Sequence, residues 1–353
     1  MWTIIATWAM GNDGVTRAGE MLEAGASAAD AIEAAVRDVE DNPYYKSVGF
    51  GGLPNEEMEV ECDAAFMDGD TLDFGAVGAI KNVPNPVSVA RSLAGGDVNN
   101  LLVGEGAGKY AEKAGFERKN MLTDRARAYY SKRVAEEGGL DLNVERKLGE
   151  PEAEQEAARG AEVGQVAERT AADIAEDGTN PCGHDTVGMV CVDASGSMTA
   201  ATSTSGLFMK KPGRMGDSPV PGAGFYVDSA WGGSASTGLG EDVMKGCVGY
   251  EIVRLMGTGL HPQQACEQAI HAFDARLRER RGHAGDISFV ACDAQGRWGA
   301  ASNIEGFSFV VATADAPATI YLCHPAPDGT CENVPADEAW IHEYFESRKR
   351  PVL

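Results

Sequence analysis

The sequence predicts an α+β fold in which β-sheets pack against each other and helices cover both outer faces. Strand signals come in pairs around short turns, and helical signals also come in pairs: Thr186–Val192 with Met198–Thr204, Ile287–Cys292 with Trp298–Ser302, and Val243–Met256 with Pro262–Arg278. Of 353 residues, 43% are hydrophobic, enough to bury a large core, and the 44 glycines suit many tight turns. Paired strands and paired helices bury their apolar faces as stacked layers.

The first half of the chain alternates between strand and helix signals. Ser27 is a typical helix N-cap with Asp30 three residues later, and the apolar residues that follow recur at helical spacing until Asn42. The other signals are strands at Trp2–Thr7, Met58–Met67 and Thr71–Ile80 and helices at Pro86–Leu93 and Gly104–Ala114. In the second half, Phe307–Ala312 adds one more strand.

Two segments do not follow this pattern. Residues from about 123 to 182 are dominated by alanine, glutamate and arginine and hold few large apolar side chains, so we expect a surface linker with partial helicity. After Ala314 the chain contains several prolines and reads as a loop-like tail, about 314–353, with a polar helix near Glu338–Ser347. The sequence assigns no function to this tail.

The charge balance restricts the partners of the protein. With 54 acidic against 30 basic side chains, the net charge is -24, which repels phosphate backbones and anionic lipid surfaces. We therefore expect no nucleic acid and no membrane as partners, and the absence of a basic segment or a membrane-length apolar run predicts a cytoplasmic protein.

Neither a metal nor a cofactor is expected. The eight cysteines form no CxxC pair, which removes the usual spacing of metal ligands and redox dithiols. The stretch from Gly104 to Lys109 lacks the glycine spacing of a phosphate-binding loop and of a dinucleotide fingerprint.

The segment Gly183-His184-Asp185-Thr186-Val187-Gly188 carries the most chemical information. It ends a polar, low-complexity stretch and places a threonine at the start of a buried strand. If the chain were cut before Thr186, its free α-amine, with a pKa of about 8, could accept the proton of the threonine's own hydroxyl. One residue would then supply nucleophile and base. The alternative is an ordinary junction between a loop and a strand.

Several further motifs, in matching order, resemble the glycosylasparaginase (aspartylglucosaminidase) branch of the N-terminal nucleophile hydrolases. They extend from the first strand to about Ala312: Thr7-Trp8, Ser47–Pro54, Met67–Val77, Asn85–Arg91, Leu102–Gly104, His184–Met189, Thr202–Gly206, Gly213–Pro219 and Gly222–Gly224. The resemblance implies a four-layer αββα sandwich of the N-terminal nucleophile hydrolase type. It also implies that one precursor is split into an N-terminal subunit, 1–185, and a C-terminal subunit, 186–353, which together form one αββα domain and assemble as a dimer of two-subunit units.

The resemblance assigns roles to residues. Thr186 matches the nucleophile, Asp185 the residue on the leaving side of the cleaved bond, and Thr204 the threonine that tunes the nucleophile. Arg214 and Asp217 match the pair that clamps the free α-carboxylate and α-amine of the substrate, for which a guanidinium and a carboxylate are also suited chemically. Without the resemblance, these two residues could merely pair with each other in a surface turn.

Three more residues are assigned in the same way. Thr237 and Gly238 match the family's oxyanion element, in which a hydroxyl and a backbone N–H donate to the developing oxyanion. Trp8 matches a tryptophan beside the substrate. The alternatives are a simple helix cap for the Thr-Gly pair and a core position for the tryptophan.

The resemblance thus implies a self-cleaving amidohydrolase that hydrolyses the side-chain amide of N4-(β-N-acetylglucosaminyl)-L-asparagine. Ser205, Leu239 and Ala9-Met10 depart from the family pattern and bear on sugar recognition. An isoaspartyl (β-aspartyl) dipeptidase or L-asparaginase with the same machinery is therefore the second hypothesis, with a β-aspartyl substrate in place of the glycoasparagine. A third, from another class, is an uncleaved binding protein without catalytic activity.

Overall fold

The computed structural model describes residues 1–136 and 185–352, which build two β-sheets and the helices around them. The strands are β1 (Thr3–Thr7), β2 (Glu61–Asp68), β3 (Phe74–Lys81), β4 (Leu101–Val103), β5 (Val187–Val192), β6 (Met198–Thr204), β7 (Phe225–Asp228), β8 (Gly232–Gly238), β9 (Ile287–Cys292), β10 (Trp298–Ser302), β11 (Phe307–Thr313), β12 (Ala316–Pro325) and β13 (Cys331–Pro335). The helices are α1 (Asn12–Glu23), α2 (Ala28–Glu40), α3 (Pro86–Ala94), α4 (Gly104–Lys113), α5 (Asp124–Glu136), α6 (Gly240–Gly246), α7 (Val248–Gly257), α8 (Pro262–Arg281) and α9 (Glu338–Lys349).

The larger sheet has nine strands in the order β13-β12-β11-β1-β5-β6-β2-β3-β4, and the smaller has four in the order β10-β9-β8-β7. Strand β1 lies between β11 and β5, so that Ile5 is in register with Val311 on one side and Val190 on the other. Both partners run antiparallel to β1. Such a central strand is buried on both faces, which is why its sequence is continuously apolar rather than alternating.

Three layers of buried side chains hold the elements together. Ile4 and other residues on one face of the larger sheet pack against helices α1 to α4. Ile5 and its neighbours on the opposite face pack against the inner face of the smaller sheet. Helices α7 and α8 cover the outer face of the smaller sheet, where Phe289 is buried. Since successive residues of a strand point to opposite faces, Ile4 and Ile5 serve different layers. The predicted α+β fold is confirmed.

The two sheets approach closely because β8 consists of small residues, Gly-Gly-Ser-Ala-Ser-Thr-Gly. A Cβ atom added to Gly188 on β5 would lie 2.9 Å from the Cβ of Ala235, and one added to Gly233 would lie 2.6 Å from Val190 Cγ1. Both distances are shorter than real contacts between such atoms. The close approach brings the beginning of β5 next to the end of β8.

Two local predictions were wrong. The tail was expected to be loop-like, but β12 and β13 extend the larger sheet there. Pro317 lies beside a register irregularity, and Pro325 and Pro335 end their strands, so the missing proline N–H groups are tolerated. The single helix expected at Val243–Met256 is divided into α6 and α7 by Cys247, whose φ is 47°.

The predicted linker is described only at its beginning. Residues 124–136 form α5, and the side chains of Arg125 and Tyr130 contact the body of the protein: Arg125 Nη2 donates to the carbonyl of Arg348 (2.6 Å) and Tyr130 Oη to that of Glu56 (2.8 Å). Residues 137–182 of the linker lie outside the described residues. Within 1–136 and 185–352, no helix has both the length and the apolar character needed to cross a membrane.

Candidate active site

The site lies where β5 begins, at the point of close approach between the two sheets. Thr186 directly precedes β5 and is only 3% exposed, and Asp185 before it is 8% exposed. Because β5 is a central strand flanked by β1 and β6, the backbone that follows Thr186 is fixed by ladders on both sides. The peptide bond between Asp185 and Thr186 is therefore held at the edge of a rigid element.

Each polar group of Thr186 has a partner. Its backbone N–H donates to Thr237 Oγ1 (3.0 Å), and its Oγ1 lies 3.2 Å from Ser218 Oγ. Its carbonyl accepts a hydrogen bond from Thr7 Oγ1 (2.5 Å), and Thr7 Oγ1 in turn accepts from the N–H of Gly188 (2.8 Å). Three hydrogen-bonding contacts thus fix a buried residue whose backbone and hydroxyl groups would otherwise lose their interactions with water.

The hydroxyl of Thr237 accepts two hydrogen bonds. Besides the N–H of Thr186, the indole N–H of Trp8 donates to Thr237 Oγ1 at 2.8 Å. Both lone pairs of this oxygen are then occupied, so its own proton must point in a third direction. Thr237 is therefore arranged as a hydrogen-bond donor.

Trp8 is held in this position by an unusual backbone and by packing. Its φ is 61°, a left-handed value that bulky residues rarely adopt. Its ring packs edge-on against Phe307 with the centroids 5.3 Å apart, and its backbone N–H donates to Ser308 O at 2.7 Å. The indole therefore combines core packing with a polar contact in the site.

Thr204 lies beside the carbonyl of Asp185. Its Oγ1 is 3.4 Å from Asp185 O and 3.2 Å from Ser47 O, and it accepts a hydrogen bond from the N–H of Gly206 (3.0 Å). The single proton of the Thr204 hydroxyl is thus shared between two carbonyls, one of which belongs to the peptide bond before Thr186.

Gly238 ends β8 in a conformation that requires glycine. Its φ is 135°, and an added Cβ would lie 2.1 Å from the carbonyl oxygen of Asp286. The next residue, Leu239, donates its N–H to the same oxygen at 2.8 Å and begins helix α6 as its N-cap. The side chain of Leu239 packs against Gly285, where an added Cβ would meet Leu239 Cδ2 at 2.5 Å.

Arg214 and Asp217 each bind a different partner. Arg214 pairs bidentately with Glu241, through Nε (2.8 Å) and Nη2 (2.6 Å). The guanidinium also lies over two glycines: a Cβ added to Gly206 or Gly216 would come within 3.3 Å of Nη1. Within the described part of the chain, no ion pair joins Arg214 to Asp217, so the alternative of a mutual pair in a surface turn was wrong.

Asp217 is a buried carboxyl, 3% exposed. Burial raises the pKa of Asp217, while the hydrogen bond from the hydroxyl of Ser236 and the charge of Arg214 lower it. Its Oδ1 faces Gly240, where a Cβ would come within 2.8 Å and occupy the adjacent space. When it is ionised, a carboxyl at this position carries the charge that attracts a cationic group.

The structure thus brings together Asp185, Thr186, Thr204, Thr237 and Trp8 through direct contacts. It also adds three residues that the sequence did not single out: Thr7, Ser218 and Glu241. Thr7 and Ser218 lie within motifs already recognised, Thr7-Trp8 and Gly213–Pro219, whereas Glu241 lies outside them. Their contacts join positions as much as 181 residues apart, which spacing along the chain does not reveal.

Known proteins are similar to this chain over most of its sequence. The sequence profile of the family described as "Asparaginase" matches residues 9–322. The protein named "N(4)-(Beta-N-acetylglucosaminyl)-L-asparaginase" of Elizabethkingia miricola is 33% identical over 310 residues, 87% of this chain and 80% of that protein. Its namesake in Rattus norvegicus is 32% identical over 313 residues, 87% of each chain.

A third relative has a different name. The "Isoaspartyl peptidase/L-asparaginase" of Danio rerio is 32% identical over 283 residues, 79% of this chain and 77% of that protein. The family profile spans most of the chain, including Thr186, Ser218, Thr237 and the turn with Arg214 and Asp217, and each of the three relatives covers 79% or more of the chain. The chain therefore belongs to the asparaginase family.

Proposed function

We propose that this protein cleaves itself before Thr186 and then hydrolyses the side-chain amide of N4-(β-N-acetylglucosaminyl)-L-asparagine to aspartate and the glucosaminylamine. The observation that carries this proposal is the setting of the peptide bond before Thr186: the Thr186 nitrogen is bound to Thr237 Oγ1, and the Asp185 carbonyl lies against Thr204 Oγ1. A buried junction between a loop and a strand also needs partners for its backbone groups, but side-chain hydroxyls on both sides of one peptide bond are what cleavage of that bond requires. The names of the two glycosylasparaginase relatives support the substrate.

Self-cleavage begins in the intact chain. Thr186 Oγ1 attacks the carbonyl carbon of Asp185, and the oxygen of that carbonyl gains negative charge next to the Thr204 hydroxyl, 3.4 Å away. The bond between Asp185 C and Thr186 N breaks, the nitrogen takes up the proton lost by the hydroxyl, and an ester remains. Water then hydrolyses the ester to a carboxylate on Asp185 and a free amino-terminal Thr186.

Turnover uses the new amine. It accepts the proton of the Thr186 hydroxyl as Oγ1 attacks the β-carbonyl of the substrate. The Thr237 hydroxyl, whose proton is directed away from Trp8, and the N–H of Gly238 donate to the oxyanion; one such donor contributes about 10²–10³ in rate. The proton passes to the departing amine, and water releases aspartate from the enzyme.

Arg214 and Asp217 recognise the amino-acid part of the substrate. The guanidinium takes the α-carboxylate through the side that Glu241 does not occupy, and Asp217 takes the α-ammonium. Asparagine within a protein lacks both free groups and is therefore refused.

We also propose how the protein folds into layers and how it assembles. The architecture that we propose is a four-layer αββα sandwich, which the three buried layers support, with residues 1–185 and 186–353 as two subunits of one domain. Two such units form a dimer, which size-exclusion chromatography with light scattering checks.

A second candidate function is hydrolysis of β-aspartyl dipeptides or of L-asparagine. The name of the Danio rerio relative favours it. The two functions share the nucleophile and the clamp and differ in the leaving group. Measurement of kcat/KM for the glycoasparagine, for β-aspartyl-leucine and for asparagine on one preparation decides between them, and the first is expected to be the largest.

The mass of the purified protein under denaturing conditions tests the proposal directly. We expect two fragments that sum to the whole chain plus one water, the second beginning at Thr186. Thr186→Ala should remain uncut and inactive. Ser234→Ala is the control, because the Ser234 hydroxyl is equally buried on β8 but donates to Gly249 O (2.9 Å). A Thr186→Ala variant that still cuts itself, or a wild type that stays whole and binds glycoasparagine without turnover, contradicts it.

A further inference from the structure

The hydroxyl of Ser218 contacts the hydroxyl of Thr186, yet neither self-cleavage nor turnover, as proposed above for Thr186, gives it a role. We propose that Ser218 positions the Thr186 hydroxyl for self-cleavage, and that maturation depends on it more than substrate turnover does. This inference rests on the proposed function. It assigns the residue to the one step in which the threonine lacks a base of its own.

Hydrogen bonds to the backbone fix Ser218 and the residue before it. Only 1% of the surface of Ser218 is exposed, and its carbonyl accepts a hydrogen bond from Thr202 Oγ1 at 2.6 Å. The preceding carbonyl, that of Asp217, accepts from the N–H of Val220 at 2.8 Å and closes a turn. The backbone of Ser218 is thus fixed by Thr202 of β6 and by this turn, and its Oγ lies 3.2 Å from Thr186 Oγ1.

The neighbouring hydroxyls are engaged elsewhere. Thr237 Oγ1 accepts the N–H groups of Trp8 and Thr186, and Thr204 Oγ1 lies against the carbonyls of Ser47 and Asp185. Among the residues for which the structure gives hydrogen bonds, Ser218 alone contacts the oxygen of the nucleophile. At 3% exposure, Thr186 has little access to bulk water that could take over this role.

The need for such a contact differs between the two reactions. In the intact chain, the nitrogen of Thr186 is an amide that donates to Thr237, and it becomes basic enough to take a proton only after the carbonyl carbon of Asp185 has become tetrahedral. If the hydroxyl donates to Ser218, its lone pairs are free to attack the carbonyl carbon of Asp185. The ester bond forms, the peptide bond breaks, the proton ends on the departing nitrogen, and Ser218 finishes unchanged.

After cleavage, the α-amine lies two bonds from the hydroxyl-bearing carbon and orients the hydroxyl itself. Removal of the Ser218 hydroxyl should then matter less. Loss of a hydrogen bond between neutral groups that leaves the buried partner unsatisfied costs about 1–3 kcal/mol. If that cost falls on the transition state of self-cleavage, the rate drops by about tenfold or more. We expect self-cleavage of Ser218→Ala to slow by at least that factor and kcat of the cleaved fraction to fall less than about threefold.

The experiment follows both reactions in the same variants of the full chain. Uncleaved protein is collected early after expression, cleavage is followed by intact mass, and kcat and KM are measured on the fraction already cleaved. Ser218→Cys keeps the size of the side chain with a weaker hydrogen bond and should be intermediate. Ser234→Ala, which removes a buried serine hydroxyl away from Thr186, should cleave at the wild-type rate. Melting temperatures show that the variants are folded, and Ser218→Cys serves if Ser218→Ala does not fold.

The outcomes separate the two proposals. Slow cleavage with nearly normal turnover supports the role of Ser218. Cleavage of Ser218→Ala and Ser218→Cys at the wild-type rate overturns it, and so does an equal loss in cleavage and in kcat, which would show a general structural effect. If the wild type itself does not cleave, the proposed function fails, whatever the variants do.

Discussion

Two buried carboxyl groups, Glu40 and Asp217, each accept a hydrogen bond from a strand serine, yet they differ in their other partners. Glu40 accepts from Ser203 Oγ (2.7 Å), from the N–H of Val87 (3.0 Å) and from Asn85 Nδ2 (3.3 Å), which surrounds it with donors. Asp217 accepts from Ser236 and keeps Oδ1 beside a glycine. Burial raises the pKa of both. We therefore expect Glu40, which is enclosed by donors, to stabilise the fold, and Asp217 to bind the substrate.

Of the variants considered, Asp217→Asn is expected to have the largest effect, a fall in kcat/KM. Loss of one partner of a buried charge pair costs about 2–5 kcal/mol, so kcat/KM should fall by roughly 30-fold or more, mainly through KM. Stability should not fall, because the variant removes a buried charge and keeps an acceptor for Ser236. Asp293→Asn is the control: Asp293 is also buried but binds Arg297 (2.7 Å) in a turn, so its variant should lose stability and keep KM. An unchanged KM in Asp217→Asn would remove Asp217 from the substrate site.

Glu40 should affect the pH dependence of folding. Its pKa is raised from 4.5 to about 8, so the folded chain holds a proton that the unfolded chain releases. The free energy of unfolding therefore falls as pH rises from about 4.5 to 8, by about 2–3 kcal/mol between pH 5 and 7 from this group. Glu40→Gln should flatten this slope. Urea unfolding of both proteins at several pH values measures it, and parallel slopes would contradict the prediction.

Glu241→Ala should have the smallest effect. The variant releases the guanidinium of Arg214 from its bidentate partner, and immobilising such a side chain again on binding costs about 0.5–1.5 kcal/mol. KM should rise by up to about tenfold while kcat stays nearly constant. Glu251→Ala breaks a similar bidentate pair with Arg254 on the exposed face of α7. This variant should leave both kcat and KM unchanged. Equal effects of the two variants would show that Glu241 has no specific influence on Arg214.

The sequence predicted one of the two strands that meet at Thr186 and missed the other. Strand β5, Val-Gly-Met-Val-Cys-Val, is recognisable because its residues are large and apolar. Strand β8 is equally buried but contains only glycine, serine, alanine and threonine, so no hydrophobic period marks it. Its burial comes from the close approach of the larger sheet, a property of the tertiary structure that its own residues do not show.

The site was predictable to the extent that its residues fall in motifs. Thr186, Thr204 and Thr237 were identified by resemblance, and in the structure Thr204 Oγ1 lies against the carbonyl of Asp185 and Thr237 Oγ1 against the N–H of Thr186. The partner of Arg214 was not predictable, because Glu241 lies 27 residues further along, at the start of a helix, and resembles any acidic residue of a first helical turn. The roles given to these residues remain predictions for the experiments above.

The strand order of the larger sheet determines what a cut before Thr186 would leave behind. Strand β1 of the amino-terminal piece is inserted between β5 and β11 of the carboxy-terminal piece, and β2 is joined to β6. The pieces would thus be interlaced through three backbone ladders. Neither could leave without the unzipping of a sheet that forms the centre of the molecule, so the nicked protein should migrate as a single species until it is denatured.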